Sequence, residues 1–159
     1  MISDIQYVNC RVKDKGMNEI ILKLKDRDDK AAYEYSKILG AESAESDKYL
    51  PMLLQFADML EDKSSYVRTR GFILICNQAR WAKDGQIADV FDRMSALLYD
   101  SKPTVVRQCL FALHEVALYR PEMSEMIIDA VDKIDVSKYK DSMSPLIEKD
   151  ISELMKALG

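Results

Sequence analysis

The chain has 159 residues, 48% of them apolar, and a net charge of −4, so it is long enough for one domain with a substantial core and too apolar to be disordered. No apolar run reaches the roughly 18 residues of a membrane span, and the acidic balance argues against binding to nucleic acid backbone as the main activity. The first residues lack the basic start and long apolar run of a signal peptide.

The spacing of apolar residues predicts a helical chain. They recur every three or four residues from Met17 to Leu158, and no stretch alternates as a half-buried strand would. Residues 1–16 have weak periodicity and are expected to form an N-terminal arm or a short helix. The predicted helices that follow are 17–25, 29–44, 47–60, 64–80, 86–99, 103–119, 122–133 and 142–158. Ser64 and Ser101 are placed to cap two of them.

A motif recurs between these helices. Residues 60–68 and 98–107 both contain Leu-x-Asp, a polar turn and then Val-Arg at the start of an apolar helix. The valines of the two Val-Arg pairs, Val67 and Val106, are 39 residues apart. A step of 36 residues back from Val67 reaches Ala31, and a step of 37 residues forward from Val106 reaches Met143. Each is followed by apolar residues at helical spacing. Four helix pairs therefore account for residues 17–158.

The repeated motif resembles that of HEAT-repeat proteins, of the small bacterial type. A repeat of that family is an antiparallel helix pair with Pro in its first helix, Asp at its turn and Val-Arg opening its second helix. The second unit carries these marks at Pro51, Asp62, Val67 and Arg68, and the third at Asp100, Val106 and Arg107. The resemblance implies an all-α fold, a short α-solenoid (an α-α superhelix) of about four HEAT-like pairs in one domain. Its units would be residues 17–45, 47–81, 86–120 and 122–158.

Stacking of such pairs assigns structural roles to the motif. The side chains expected in the core are Val67, Leu74, Val106, Leu110 and Leu113. Arg68 and Arg107 are expected to reach turn carboxylates such as Asp62 and Asp100 and so to align successive units. Gly71 occupies a position where a small residue allows two helices to approach closely.

Catalytic and metal-binding constellations are absent from the sequence. No glycine-rich phosphate loop, HExxH or GxSxG motif occurs, and the acidic clusters lack calcium-loop spacing. The single histidine, His114, is expected to be structural. Cys10, Cys76 and Cys109 are dispersed, which favours inert thiols in a reducing, cytoplasmic location. The sequence therefore predicts a protein that is not an enzyme and has no cofactor and no metal site.

A binding surface can be predicted from the helical phase. The second helix of each HEAT pair lines the inner, concave side of the stack, and residues opposite the core direction should face a partner. They are Tyr33, Lys37, Thr69, Ile73, Arg80, Gln108, Ala112, Tyr119 and Lys149. Replacing Arg80 or Tyr119 by Ala should then change stability by less than about 0.5 kcal/mol. An ordinary, partly exposed helix face is the alternative interpretation.

Three functions are compatible with these observations. A non-enzymatic interaction module or scaffold, which binds an unidentified protein or peptide through the concave face, fits the architecture best. The second is an enzyme similar to the HEAT-like DNA glycosylases, for which Trp81 beside Arg70, Arg80 and Lys83 could stack a base and contact phosphate. The third, an accessory factor in iron–sulfur cluster assembly, has no supporting residues. The polar outer side of the last helix favours a monomer.

Overall fold

The computed structural model describes residues 15–159, so most of the predicted N-terminal arm lies outside the described residues. Helix α1 covers residues 15–24, and the later α-helices are α2 (Asp29–Glu45), α3 (Leu53–Met59), α4 (Ser65–Asn77), α5 (Phe91–Ser95), α6 (Pro103–Tyr119), α7 (Ser124–Val131) and α8 (Ser144–Leu158). Short 3₁₀ helices lie at Leu50–Met52, Ala88–Val90, Ala96–Tyr99, Pro121–Met123 and Val136–Lys138. The described residues contain no strand, and none of their helices is long and apolar enough to cross a bilayer.

Two different kinds of residue begin the helices. The Asp28 carboxylate accepts hydrogen bonds from two backbone N–H groups at the start of α2, and the Ser64 hydroxyl accepts one at the start of α4. Ser101 was expected to cap α6, but Lys102 occupies the cap position and makes no side-chain cap. Pro103 follows it, and its fixed φ and missing N–H suit the first helical turn.

Helices α2, α4, α6 and α8 form one layer, in which each packs against the next; we call it the inner layer. Helices α3, α5 and α7 form the outer layer: α3 packs on α4, α7 packs on α8, and the 3₁₀ segment that follows α5 packs on α6, whereas the three helices do not pack closely on one another. Closer spacing on one side of a stack curves it toward that side. The inner layer contains the second helix of each predicted pair, and the prediction of an all-α, solenoid-like fold is confirmed.

The outer layer is less regular than the sequence suggested. The predicted helix 47–60 consists of a 3₁₀ turn followed by α3, and the predicted helix 86–99 contains only five α-helical residues between two 3₁₀ segments. Pro51 and Pro121 both lie inside 3₁₀ turns at the beginnings of outer-layer segments. A proline lacks the N–H that an α-helical interior needs, so it suits these first turns.

The core contains the residues that the motif placed there. Val67, Leu74, Val106, Leu110 and Leu113 are all buried, in agreement with the prediction. In the first unit the predicted core direction is wrong by one residue, because Ala31 is exposed and its neighbour Ala32 is buried. Met143, the corresponding position in the last unit, is half-buried.

Helices α3 and α4 approach each other closely at Gly71. A Cβ atom at this position would lie 2.8 Å from both the Phe56 carbonyl oxygen and the Met59 Cβ on α3. Only a residue without a side chain lets α4 pack on α3 at this distance, as the sequence predicted.

Candidate interaction surface

The inner layer exposes large apolar side chains on α6. Phe111 is 80% exposed and Leu118 is 69% exposed, and the two are seven residues apart, so they lie on the same side of the helix. On the neighbouring helix α4, Tyr66 is exposed and Ile73, seven residues later, is half-buried. We call these four residues the inner apolar patch.

The residues predicted to form the binding strip are distributed over three environments. Tyr33, Lys37, Arg80, Gln108 and Lys149 are exposed, and Ile73, Ala112 and Tyr119 are half-buried. The prediction that Thr69 faces a partner is wrong, because Thr69 is only 5% exposed and its hydroxyl donates a hydrogen bond to the Ser65 carbonyl oxygen at 2.8 Å. Helix α4 has inner-layer neighbours on both sides, so a smaller part of its surface faces solvent.

Phe111 and Leu118 were missed because the core direction of α6 was taken from Val106 alone. Val105, Cys109 and Val116 are buried as well, since α6 packs against α4 and α8 in addition to the outer layer. Including them turns the exposed direction toward Phe111 and Leu118, which lie roughly 100° around the helix from Ala112 and Tyr119. Averaging the direction over all apolar residues of the segment would have found both.

Arg80 and Tyr119 connect three successive units of the stack. The Arg80 guanidinium donates to the Ala44 carbonyl oxygen at 2.7 Å and to the Tyr119 hydroxyl. Its carbon Cζ also lies 4.8 Å from the centre of the Tyr119 ring, at the distance of a cation–π contact. Because of these contacts, we expect Arg80→Ala to cost more stability than the helical phase alone suggested.

Side chains of one unit also cap helix ends of the unit before it. The Trp81 indole N–H donates to the Ser43 carbonyl oxygen at 2.6 Å, and the Arg120 Nε–H donates to the Ala79 carbonyl oxygen at 2.9 Å. The last carbonyl groups of a helix have no partner within it, so such donors satisfy them. We call these bonds, together with that from Arg80 to Ala44, the helix-end contacts.

The same contacts bear on the DNA-glycosylase alternative, which needs an accessible aromatic ring beside cations. The Trp81 indole and the Arg80 guanidinium both take part in the helix-end contacts. Arg70 is 5% exposed and its Nε–H donates to the Leu24 carbonyl oxygen at 2.9 Å. Of the four residues proposed for that activity, only Lys83 is exposed without a described structural contact of its side chain.

Ion pairs align the opposite ends of the inner helices. The Arg68 guanidinium is 2.9 Å from the Asp100 carboxylate of the next unit, as the motif predicted, and also donates to the Asp62 backbone carbonyl. Arg107 does not bind Asp100; it pairs with Asp150 on α8 at 2.6 Å, because the last unit offers a carboxylate there instead of a turn aspartate.

The Asp62 carboxylate itself has a lowered pKa. Partial burial raises this pKa, but the Ser64 backbone N–H and the Lys25 ammonium, 3.2 Å away, lower it by more. The charged form of Asp62 is therefore stabilised in the folded protein.

The thiols and the histidine occupy packed positions. Cys76 and Cys109 are buried, and their burial raises the pKa of both thiols well above the ordinary value, so they remain neutral. Cys10 lies outside the described residues. His114 is half-buried, with its ring 6.2 Å from that of Phe111. Within residues 15–159 no group of three or more Cys, His, Asp and Glu side chains is arranged to hold a metal ion.

One comparison with known proteins gave a match. The family model described as Cnd1, non-SMC mitotic condensation complex subunit 1, matches residues 49–158, which include α3 to α8. No curated protein and no solved structure matches the chain significantly.

Proposed function

We propose that this chain, which belongs to the Cnd1 family of non-SMC mitotic condensation complex subunits, is a non-enzymatic interaction module that binds a protein partner through its inner layer. A subunit of a complex acts by contacting other chains, and a stack of helix pairs provides an extended surface for this. The observation that carries the proposal is the exposure of Phe111 and Leu118 on one side of α6.

The inner apolar patch has the composition of an interface centre. A large aromatic side chain buries about 150–250 Å² when covered, and burial contributes about 25 cal/mol for each Å² of apolar surface. Phe111 alone therefore offers several kcal/mol of gross binding energy to a partner. Contacts of this kind, at the centre of an interface, dominate measured affinities.

The predicted strip surrounds this centre in our proposal. Tyr33 and Lys37 on α2 and Lys149 on α8 would contact the partner at the rim, where substitutions cost less. Gln108 and Ala112 lie on α6 beside Phe111 in the helical phase. Arg80 and Tyr119 bind each other, and we assign them the role of holding α4 and α6 in register beneath the partner.

The experiment compares matched serine variants of the full chain. Phe111→Ser and Leu118→Ser remove the centre of the patch, and Leu54→Ser removes a side chain of similar exposure, 65%, from outer-layer helix α3. Each protein is used as bait in native lysate of its source, and captured proteins are quantified by mass spectrometry. A partner should be recovered by wild type and Leu54→Ser and should fall about ten-fold or more with either inner variant.

Thermal unfolding of each variant, followed by circular dichroism, separates lost binding from lost folding. All three side chains are exposed, so the unfolding midpoints should stay close to that of wild type. Recovery of the same proteins in the same amounts by all four folded baits contradicts the proposal.

A further inference from the structure

A second surface of different chemistry lies on the outer layer, in a groove between α5 and α7 that we call the outer groove. It is open because these two helices do not pack closely on each other. Its floor contains the apolar residues Phe91 and Tyr99 on the α5 side and Met126 and Ala130 on α7, but Phe91 and Ala130 are buried and most of the exposed lining is polar. The Tyr99 hydroxyl donates to the Ala130 carbonyl oxygen at 2.6 Å and so connects the two sides at one end.

Met126 distinguishes the outer groove from an ordinary cleft between helices. It is 41% exposed, whereas Ile127, Ala130 and Val131 on the same helix are buried and Ile128 is half-buried. An unbranched thioether side chain is flexible and polarisable, so it adapts to the shape of an apolar side chain placed against it. The groove therefore offers an adaptable apolar contact to a partner.

The two walls of the outer groove are acidic. Asp92 on α5 and Asp129 on α7 line it, and neither forms an ion pair with any residue of the described chain. Further exposed carboxylates on these helices and their ends are Asp89, Glu122, Glu125 and Asp132. The one cation on α5, Arg93, is bound to Asp58 at 3.0 Å and to Glu61 at 2.9 Å, so it does not neutralise the groove.

Two lysines make one end of the outer groove more positively charged than the other. Lys133 lines it at the end of α7, and Lys138 donates to the Tyr99 carbonyl oxygen at 2.6 Å, near the same end. The opposite end, where α5 and α7 begin, carries carboxylates at Asp89 and Glu125, and also Glu122, which pairs with Arg120 at 3.5 Å. A bound segment would therefore place its positive charges toward the beginnings of the two helices.

We propose that the outer groove binds a basic amphipathic segment of a partner protein. The segment would place an apolar side chain against Met126 and Lys or Arg side chains beside Asp92 and Asp129. Cations are attracted by carboxylates on both walls, and the exposed Met126 favours an apolar side chain, which a simple polycation lacks. Phosphate groups of nucleic acid or of an anionic bilayer would be repelled by the same carboxylates, so a protein segment is the occupant that fits.

A designed peptide tests this chemistry. The probe is a fluorescein-labelled, 14-residue helix of Leu and Lys, compared with one peptide in which Glu replaces Lys and another in which Ser replaces Leu. Binding to the full chain is measured by fluorescence anisotropy in 50 mM and 300 mM NaCl. Only the Leu/Lys peptide should bind well, and its affinity should fall at the higher salt concentration.

Variants locate the site. The double variant Asp92→Asn/Asp129→Asn should weaken binding about ten-fold, and Met126→Ser about three-fold or more. The control Glu148→Gln/Glu153→Gln removes the same charge from exposed positions on α8 and should stay within about two-fold of wild type. Phe111→Ser should leave this binding unchanged, so the outer groove is tested independently of the inner apolar patch.

Three results would overturn the proposal. The first is that none of the peptides binds. The second is that the α8 control weakens binding as much as the groove variant, which would mean attraction by net charge alone. The third is that the Ser-for-Leu peptide binds as tightly as the Leu/Lys peptide and Met126→Ser has no effect, which would remove the role of the apolar contact with Met126.

Discussion

Replacing Gly71 by Ala separates the intrinsic helix preference of a residue from the packing around it. In an isolated helix this change is favourable by up to about 1 kcal/mol, because Ala is the better helix former. In this protein the added methyl group would lie 2.8 Å from the Phe56 carbonyl oxygen and 2.8 Å from the Met59 Cβ. Both atoms belong to α3 and neither is the end of a flexible side chain, so the two helices must move apart.

The magnitude follows from two opposing effects. Overpacking a well-filled core typically costs about 1–3 kcal/mol, and the gain in helix preference offsets up to about 1 kcal/mol of this. We therefore expect Gly71→Ala to lower the free energy of unfolding by about 1–2 kcal/mol. For a chain of this length, that corresponds to a fall of roughly 2–8 °C in the unfolding midpoint.

Two other glycines provide matched controls. A Cβ at Gly16 in α1 meets nothing within 4 Å, and one at Gly40 in α2 meets the Asn77 Oδ1 at 3.1 Å, on a side chain that can move. Urea unfolding followed by circular dichroism should rank Gly16→Ala most stable, Gly40→Ala next and Gly71→Ala least stable. If Gly71→Ala proves as stable as Gly16→Ala, then α3 and α4 do not pack as closely as described.

Two further predictions concern polar contacts between units. Arg80→Ala should lower the free energy of unfolding by about 1–2 kcal/mol in urea titrations, because it removes a cap and an inter-unit bond; an unchanged midpoint would contradict this. Burial raises the pKa of Asp62, but the Ser64 backbone N–H and the Lys25 ammonium lower it by more. The charged Asp62 therefore contributes stability above the ordinary Asp pKa of about 3.9, and this contribution is lost as pH falls through the lower pKa of the folded protein. Asp62→Asn should lower the free energy of unfolding at pH 7 and make it depend less on pH between pH 5 and 2. The exposed control Asp141→Asn should change neither quantity. If the free energy of unfolding of the two variants depends on pH in the same way, the argument is refuted.

The helices and their pairing were predictable because they depend on local spacing. The apolar period of three and four residues is set by the geometry of the helix, and it located α2 and α6 to within one residue at each end. The contact between Arg68 and Asp100 was predictable as well, since both residues belong to the repeated motif. The positions of the helices need no knowledge of how far one unit is rotated relative to the next.

The binding surface was harder to predict because its phase depends on that rotation. Thr69 is buried and Phe111 is exposed for the same reason. Helices α4 and α6 each pack against inner-layer helices on both sides, and these contacts bury a different width of the helix surface on each side. The groove between α5 and α7 depends on the separation of two short helices, and local spacing says nothing about it. Whether this protein is a monomer and cytoplasmic, as the sequence predicts, stays a prediction.

The helix-end contacts give the stack a polarity along the chain. In each of them the donor belongs to the unit that follows: Arg80 and Trp81 complete α2, and Arg120 completes the end of the α4 segment at Ala79. If the following unit is absent, the carbonyl oxygens at the end of α2 or α4 lose these donors. If the preceding unit is absent, the same oxygens remain bonded. Fraying of the first two units should therefore advance from their C-terminal side, and during synthesis the ends of α2 and α4 gain these bonds only after the next unit has emerged.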